Sequence, residues 1–372
     1  VVNRRRLLAI ARKETLQLRR DPRSLALGFL LPLLLLVIFG YAITWDIRDI
    51  ATAVLDRDGS ARSRELIDAF RSSGYFRLVE PLERQADIDR ALDRRSAFLV
   101  LVIPPDFGEA LGSGRPAELQ AIVDGGDANT ATIALNYVRA VVRTYSTEVA
   151  FRGRVFEPPG GAESRVWYNE ELRSRDMIVP GLVAVIMMIV AAMLTSLTIA
   201  REWERGTMEQ LAATPVTPYE VVIGKLLPYL AVGLVDVVAC SVAGVLLFDV
   251  PFRGNAALLM VLSFFFLVGS LGIGICISAV ARTQLLATQV AMVATFLPAF
   301  LLSGFMFAIQ VMPAPLRLFT YLIPARYFLV VTRGIFLKGV GAEVLFAQGL
   351  LMVAFAAIGL GLATRVFRKE LT

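Results

Sequence analysis

The stretch MIVPGLVAVIMMIVAAMLTSLTIAREWERGTMEQLAATPVTPYE, residues 177–220, decides how the rest of the chain is read. Residues 177–200 hold no charged side chain, and as a helix they can cross roughly 30 Å of hydrocarbon. At Arg201 the composition changes abruptly: Glu202, Glu204, Arg205, Glu209 and Glu220 follow, with Pro215 and Pro218 among them. Past Glu220 a second, nearly apolar run continues to Phe248. A charged island between two membrane-length runs reads as a chain that leaves the bilayer, turns and goes back in.

Four more apolar runs, at 25–44, 255–281, 285–309 and 345–366, bring the spans to six. The 372 residues are 56% hydrophobic, well above a soluble domain of this size. The fold class is therefore an α-helical polytopic membrane protein with six transmembrane helices. The N-terminal tail carries Arg4, Arg5, Arg6, Arg12, Lys13, Arg19, Arg20 and Arg23, and the C-terminal tail Arg365, Arg368 and Lys369. An even number of spans puts both tails on one side, and the excess of basic residues makes that side cytoplasmic. Segment 310–344, with Arg317, Arg326, Arg333 and Lys338, runs against the rule, so orientation rests on the tails. The first run is too long for an ordinary signal-peptide core, and Ala42-Ile43-Thr44-Trp45 is a poor cleavage site; it reads as an uncleaved anchor.

The net charge of +6 needs no nucleic acid, because tails beside anionic headgroups attract such an excess. With no histidine in the chain, histidine-based triads, zinc sites and imidazole relays are excluded. Cys240 and Cys276 lie in separate spans, where small buried thiols are structural. No catalytic residue and no metal ligand set emerges, and no enzyme motif is present.

Residues 1–24 contain an interfacial helix over 4–20, with Leu7, Leu8, Ala11, Thr15 and Leu18 on one arc and Arg5, Arg12, Lys13, Arg19 and Arg20 on the other. Residues 45–176 read as an inserted extracytoplasmic α/β domain. Its β-rich runs at 51–55, 75–79, 97–103 and 119–123 alternate with helical patterns at 60–72, 84–94 and 127–152. Residues 153–175 look like an irregular return to the membrane. The remaining spans fill 177–372. In 310–344, Met312-Pro313-Ala314-Pro315 and Pro324 break the apolar pattern, giving either half-helices in the outer leaflet or an external amphipathic loop.

The island itself, 201–220, is punctuated for helices. Gly206 suits a left-handed stop, and Thr207 with Gln210 forms a capping box that starts a short helix. Pro215 ends that helix, and Thr217-Pro218-Tyr219-Glu220 is a second capping box with proline at the first position. Spacing alone leaves two readings open: a stiff element that meets a partner, or a solvated loop that marks the membrane boundary.

The run Glu204-Arg205-Gly206-Thr207-Met208-Glu209-Gln210-Leu211 followed by Pro215 resembles the cytoplasmic signature of bacterial ABC-exporter permeases of the multidrug-efflux type, which have six spans and an external domain between the first two. Arg12-Lys13-Glu14 and Arg19-Arg20-Asp21-Pro22 resemble that family's elbow helix. Gly224-Lys225-Leu226-Leu227-Pro228-Tyr229 resembles its third span, and Leu302-Ser303-Gly304-Phe305-Met306-Phe307, Met312-Pro313 and Arg333–Gly339 its fifth span and outer segment. The resemblance implies a bacterial inner-membrane subunit paired with a second permease, identical or homologous, and docked on a cytoplasmic ABC ATPase. It also makes Glu202, Glu204, Arg205, Gly206, Thr207, Glu209, Pro215 and Pro218 the coupling residues. ATP and Mg would sit on the ATPase, since this chain has no phosphate-binding GxxxxGK[ST] loop: at Gly224-Lys225-Leu226, Tyr219 replaces the first glycine and leucine the hydroxyl residue. A periplasmic adaptor is a further implied partner.

In that family the transport path runs between subunits along the second and fifth spans. Here those spans offer Thr195, Ser196 and Thr198, and Gln284, Thr288 and Thr295 at helical spacing; the alternative is that these hydroxyls bond their own backbone. Asp236, mid-span, is costly by about 3 kcal/mol and is a further candidate. Gly269, Gly272 and Gly274 suit close helix approach. The leading function is export of hydrophobic or amphiphilic compounds. The alternative is a mechanotransmission or sensing subunit that drives external partners without passing substrate.

Overall fold

Asn3 opens the first helix, α1 (Arg4–Arg19), by accepting a hydrogen bond from the Arg5 backbone N–H. The computed structural model describes residues 3–43, 49–79, 81–126, 128–150 and 173–367, in two compact units: Val1–Thr44 with Arg165–Thr372, and Trp45–Ser164. Most of the stretch read as an irregular return, and the C-terminal Arg368 and Lys369, lie outside the described residues. After α1, Pro22 starts α2 (Pro22–Leu25), which winds through a π-helical turn at Ala26–Leu30 into α3 (Leu31–Ala42).

The second unit is built on β1 (Ile50–Asp56), α4 (Ala61–Ser72), β2 (Phe76–Leu78), α5 (Ala86–Asp93), β3 (Leu99–Ile103), α6 (Phe107–Gly112), β4 (Gln120–Val123) and α7 (Ala128–Ala150). The sheet order is β2-β1-β3-β4. Strands β2, β1 and β3 run parallel, and β4 pairs antiparallel to β3. Strand β3 (LVLVI) is buried at every position, as an apolar run covered on both faces must be. Leu99, Leu101 and Ile103 join Leu66 and Phe70 of α4 and Val138 and Val141 of α7 in one core, and Val100 and Val102 join Ile88 and Ala91 of α5 in the other. Helix α6 was not anticipated; its six residues are too few to show a period.

The first unit continues with α8 (Ser174–Glu204), α9 (Met208–Ala212), α10 (Pro218–Phe248), α11 (Ala256–Ala281) and α12 (Gln284–Leu297). A π-turn at Pro298–Leu302 extends α12. Then come α13 (Ala314–Thr320), α14 (Pro324–Arg333) with a π-turn at Gly334–Lys338, and α15 (Phe346–Val366). Among the described residues five helices are long and apolar enough to cross a membrane: α8, α10, α11, α12 with its π-turn, and α15. The pair α13 and α14 is bent by 73° and makes a sixth only if it counts as one broken span, and Gly28–Ala42 forms a shorter apolar helix. Among the described residues the chain is thus a polytopic helical membrane protein.

The fifth span stops at Leu302, short of the expected 309, because Gly304 turns the chain with φ +86°. In segment 310–344, Phe328 of α14 stacks on Phe266 of α11 with ring centroids 4.1 Å apart, so this piece packs into the helical unit and is no free loop.

Helix α8 is the centre of the unit: every residue from Ile178 to Ala192 is buried. A helix apolar all round is either wrapped by lipid or wrapped by protein, and α8 is wrapped by α3, α10, α11, α12 and α14. On its far side α11 lies against α15 at glycines: a Cβ added to Gly272 would sit 2.6 Å from the Gly359 carbonyl carbon.

Candidate functional site at the charged island

The island begins where α8 ends. Gly206 adopts φ +67°, its N–H donates to the Trp203 carbonyl at 3.1 Å, and the Thr207 N–H donates to the Glu202 carbonyl at 3.0 Å. These two bonds make a Schellman stop, which turns the chain sharply into α9. The expected capping box at Thr207 does not form. Its hydroxyl instead donates to the Glu202 carboxylate, and α9 has no side-chain cap. The second box does form: Thr217 accepts from the Glu220 N–H at 3.3 Å, while Glu220 accepts from the Thr217 N–H at 2.8 Å, with Pro218 at the first position of α10.

Under the island lies a cluster of buried charges. Lys225 of α10, only 2% exposed, places its Nζ 2.6 Å from Glu14 of α1 and 3.1 Å from Glu202 of α8. Lys13 reaches the same Glu202 oxygen at 2.6 Å. Beside them Arg201 pairs with Asp21 at 3.0 Å. Lys225, Glu14 and Glu202 thus offset one another's charge, with Lys13 adding a half-exposed cation at the edge, which is what allows the three to be buried. Gly224 lets α1 come this close: a Cβ there would meet Ile10 at 2.8 Å and the Leu7 carbonyl at 3.2 Å. The Asn3 N–H donates to Glu220 at 2.6 Å, and Arg6 donates to the Pro215 carbonyl. Glu204 accepts from both the backbone and the side chain of Gln284, tying α8 to α12. Four helices are therefore fastened at one point, while Glu209 and Gln210 on α9 face outward and Met208 anchors it from beneath.

The family described as "ABC-2 family transporter protein" matches residues 22–365. The chain belongs to that family. The probable multidrug ABC transporter permease YbhS of Escherichia coli strain K12 is 38% identical over 373 residues, covering 100% of this chain and 99% of the relative. YbhR of the same strain, also named a probable multidrug ABC transporter permease, is 31% identical over 98% of this chain and 99% of the relative. The inner membrane transport permease YhhJ is 26% identical over 86% of this chain. As an ABC-2 protein this chain is a membrane component of a transporter.

Within that ABC-2 chain the residues singled out from sequence fall into distinct places. Glu202 is buried and ion-paired, so it braces the island from inside and offers no surface to a partner. Glu204, Arg205 and Glu209 are exposed, as are Pro215 and Pro218. On α1 the docked face is Leu7, Ile10, Ala11, Glu14 and Leu18, while Leu8 and Thr15, assigned to the apolar arc, are exposed. The Glu14–Lys225 pair, invisible to a helical wheel, rotates the helix. Arg12 stays exposed.

The hydroxyls of the polar stripe make their bonds inside this unit. Thr195 donates to the Ala191 carbonyl and, across to α11, to the Leu271 carbonyl at 2.9 Å; Ser196 donates to Met193 and Thr198 to Thr195. Thr288 and Thr295 bond carbonyls four residues back, at Gln284 and Ala291. The outward side of α12 is mostly apolar, with Leu285, Leu286, Val290, Val293 and Leu297 exposed beside a single polar side chain, Gln289. Asp236 is 1% exposed, and its Oδ2 has no hydrogen-bond partner among the described residues. Sequence reasoning read Asp21 as a helix cap and Lys225 as part of the third span, and anticipated neither the Lys225 pairs with Glu14 and Glu202 nor the Arg201–Asp21 pair. The available signal was a lysine two turns inside an apolar run and an acid on the otherwise basic α1.

Proposed function

We propose that this chain is the permease subunit of an ATP-driven exporter of hydrophobic or amphiphilic compounds, and that a separate ATPase, holding ATP and Mg, grips it at α9. The observation that carries the reading is the buried charge cluster behind an exposed, sharply bounded short helix. A push on α9 is delivered through the Gly206 stop into α8, and through Glu202 into α1 and α10 at once. The multidrug names of the relatives support the substrate class. A second permease copy or homologue would complete the assembly, with the apolar side of α12 available for contact.

The test is ATPase activity of the reconstituted complex. Glu209→Ala removes an exposed side chain that makes no bond within the described residues, so it should leave insertion and thermal stability unchanged and lower substrate-stimulated hydrolysis several-fold. Full stimulation in that variant and in Arg205→Ala would defeat the coupling role. One observation supports the second reading, a mechanotransmission subunit: among the described residues the hydroxyls of Thr195, Thr288 and Thr295 are satisfied by backbone carbonyls. Substrate-dependent efflux from vesicles carrying permease and ATPase separates the two.

A further inference from the structure

An open cleft of about 940 Å³ lies between the last turns of α1, the end of α8 and the first residue of α12. Four basic side chains line it, Lys13, Arg20, Arg201 and Arg205, against one carboxylate, Asp21. Asp21 already neutralises Arg201, and Lys13 leans on Glu202. Among the described residues no ion pair reaches Arg20 or Arg205, which cap different helices; Glu204 attracts Arg205 from beside it, and the four cations of the cleft still outnumber Asp21, the one carboxylate in its lining. Like charges held together in one cavity repel unless an anion joins them, and guanidinium groups match phosphate oxygens in a two-pronged geometry.

The apolar part of the lining narrows the choice of anion. Leu16, Pro22 and Leu197 share the cleft with the four cations. Leu197 has further meaning, because α8 is covered almost everywhere between Ile178 and Glu202. The partly open positions in that stretch are Met193 and Leu197. They are four residues apart, one turn of helix, and so form a single strip that starts in the cleft and runs toward the middle of the span. A free phosphate has no use for such a strip, and an acidic protein segment arriving from the water has none either. A molecule with a phosphate at one end and a hydrocarbon chain at the other fits both parts.

We propose that this cleft is a binding site for an anionic membrane phospholipid, its phosphate held by Arg20 and Arg205 and an acyl chain lying along Leu197 and Met193. The cleft has the basic pocket between membrane helices that headgroup recognition uses. The lipid closes the gap between α1 and α12, both already fastened to the end of α8, and so completes the brace around the island. The inference rests on the chain's place in the membrane and needs no ATPase, so its failure would leave the export reading standing.

The purified full-length chain, delipidated in detergent, is offered phosphatidylglycerol or phosphatidylcholine of the same chain length, and bound lipid is counted by native mass spectrometry. The wild type should retain phosphatidylglycerol several-fold over phosphatidylcholine, and Arg20→Gln/Arg205→Gln should abolish the preference. Arg20→Lys/Arg205→Lys keeps the charges without the two-pronged fork and should keep only part of it. Both arginines are exposed, so the variants should melt with the wild type. The wild-type comparison decides the matter even if they do not. Millimolar inorganic phosphate should fail to displace the lipid. Equal retention of the two lipids by wild type, or an unchanged preference in the folded glutamine variant, overturns the proposal. Displacement by phosphate alone overturns it in favour of a free-anion site.

Discussion

Lys225 lies two turns into a membrane-length helix, and its ammonium group is tolerable there only because two carboxylates reach it from other helices. Replacing it with methionine keeps the bulk and strands Glu14, which is equally buried and has no other ion pair among the described residues. Breaking one partner out of a buried pair costs about 3–5 kcal/mol, because the remaining charge is uncompensated. Lys225→Met should therefore lower the melting temperature of the purified protein sharply. Adding Glu14→Gln removes the stranded charge and should recover a good part of the loss, since Glu202 keeps Lys13. A double variant no more stable than the single one would show that the pair is not what holds α1 down. A milder effect is expected in the island. Thr217 is a true cap, so Thr217→Ala should cost about 1 kcal/mol, measured on the same melting curves.

At the scale of elements, close helix approach gives the clearest prediction. Gly272 of α11 and Gly359 of α15 bring two backbones together with no room for a side chain. Gly272→Val must separate the helices or distort them, at about 1–3 kcal/mol, whereas Gly361→Ala, with no atom within 4 Å of the added carbon, should be neutral or slightly stabilising. Equal melting of the two variants would refute the tight contact. Gly272 was legible as a point of close approach from its small size, though its partner Gly359 was not, and the Thr217 cap and the Gly206 stop were legible because each depends on residues within a few positions. Local readings failed where a distant partner took over. Thr207 has the spacing of a cap, yet its hydroxyl is taken by Glu202 a turn behind it. The facing of α1 was misjudged because its decisive contact is 211 residues away. The threonines of α12 share a face as their spacing requires, but spacing does not say whether that face meets a path or a neighbouring helix. Nor does an apolar run say whether lipid or protein surrounds it, which is why the central position of α8 could not be read from its sequence.

At the scale of the whole molecule, the chain divides into units whose sources of stability differ. The helical unit leans on charge pairs and glycine contacts, whereas residues 49–150 carry their own sheet and two apolar cores. Strand β3 joins those cores, since its alternate residues enter opposite ones, and Tyr145 at the end of α7 donates to the Arg62 carbonyl of α4 at 2.9 Å. The loop after β1 is also joined to the first turn of α6, by the Gly108 N–H donating to Asp58 at 3.1 Å. Each of these ties is internal to the segment, and none draws on a membrane helix. Residues 49–150 expressed alone should therefore fold in water and show mixed helix and strand by circular dichroism. They should melt in one transition, with an enthalpy of about 60–80 kcal/mol, the value for a domain of roughly this length. Leu101→Ala strikes the core between α4 and α7 and should cost about 2–5 kcal/mol, and Val100→Ala on the opposite side should destabilise the same single transition. Two separate transitions, or a core substitution that leaves the melt unmoved, would mean that the sheet does not hold the segment together, and that its order is borrowed from the rest of the chain.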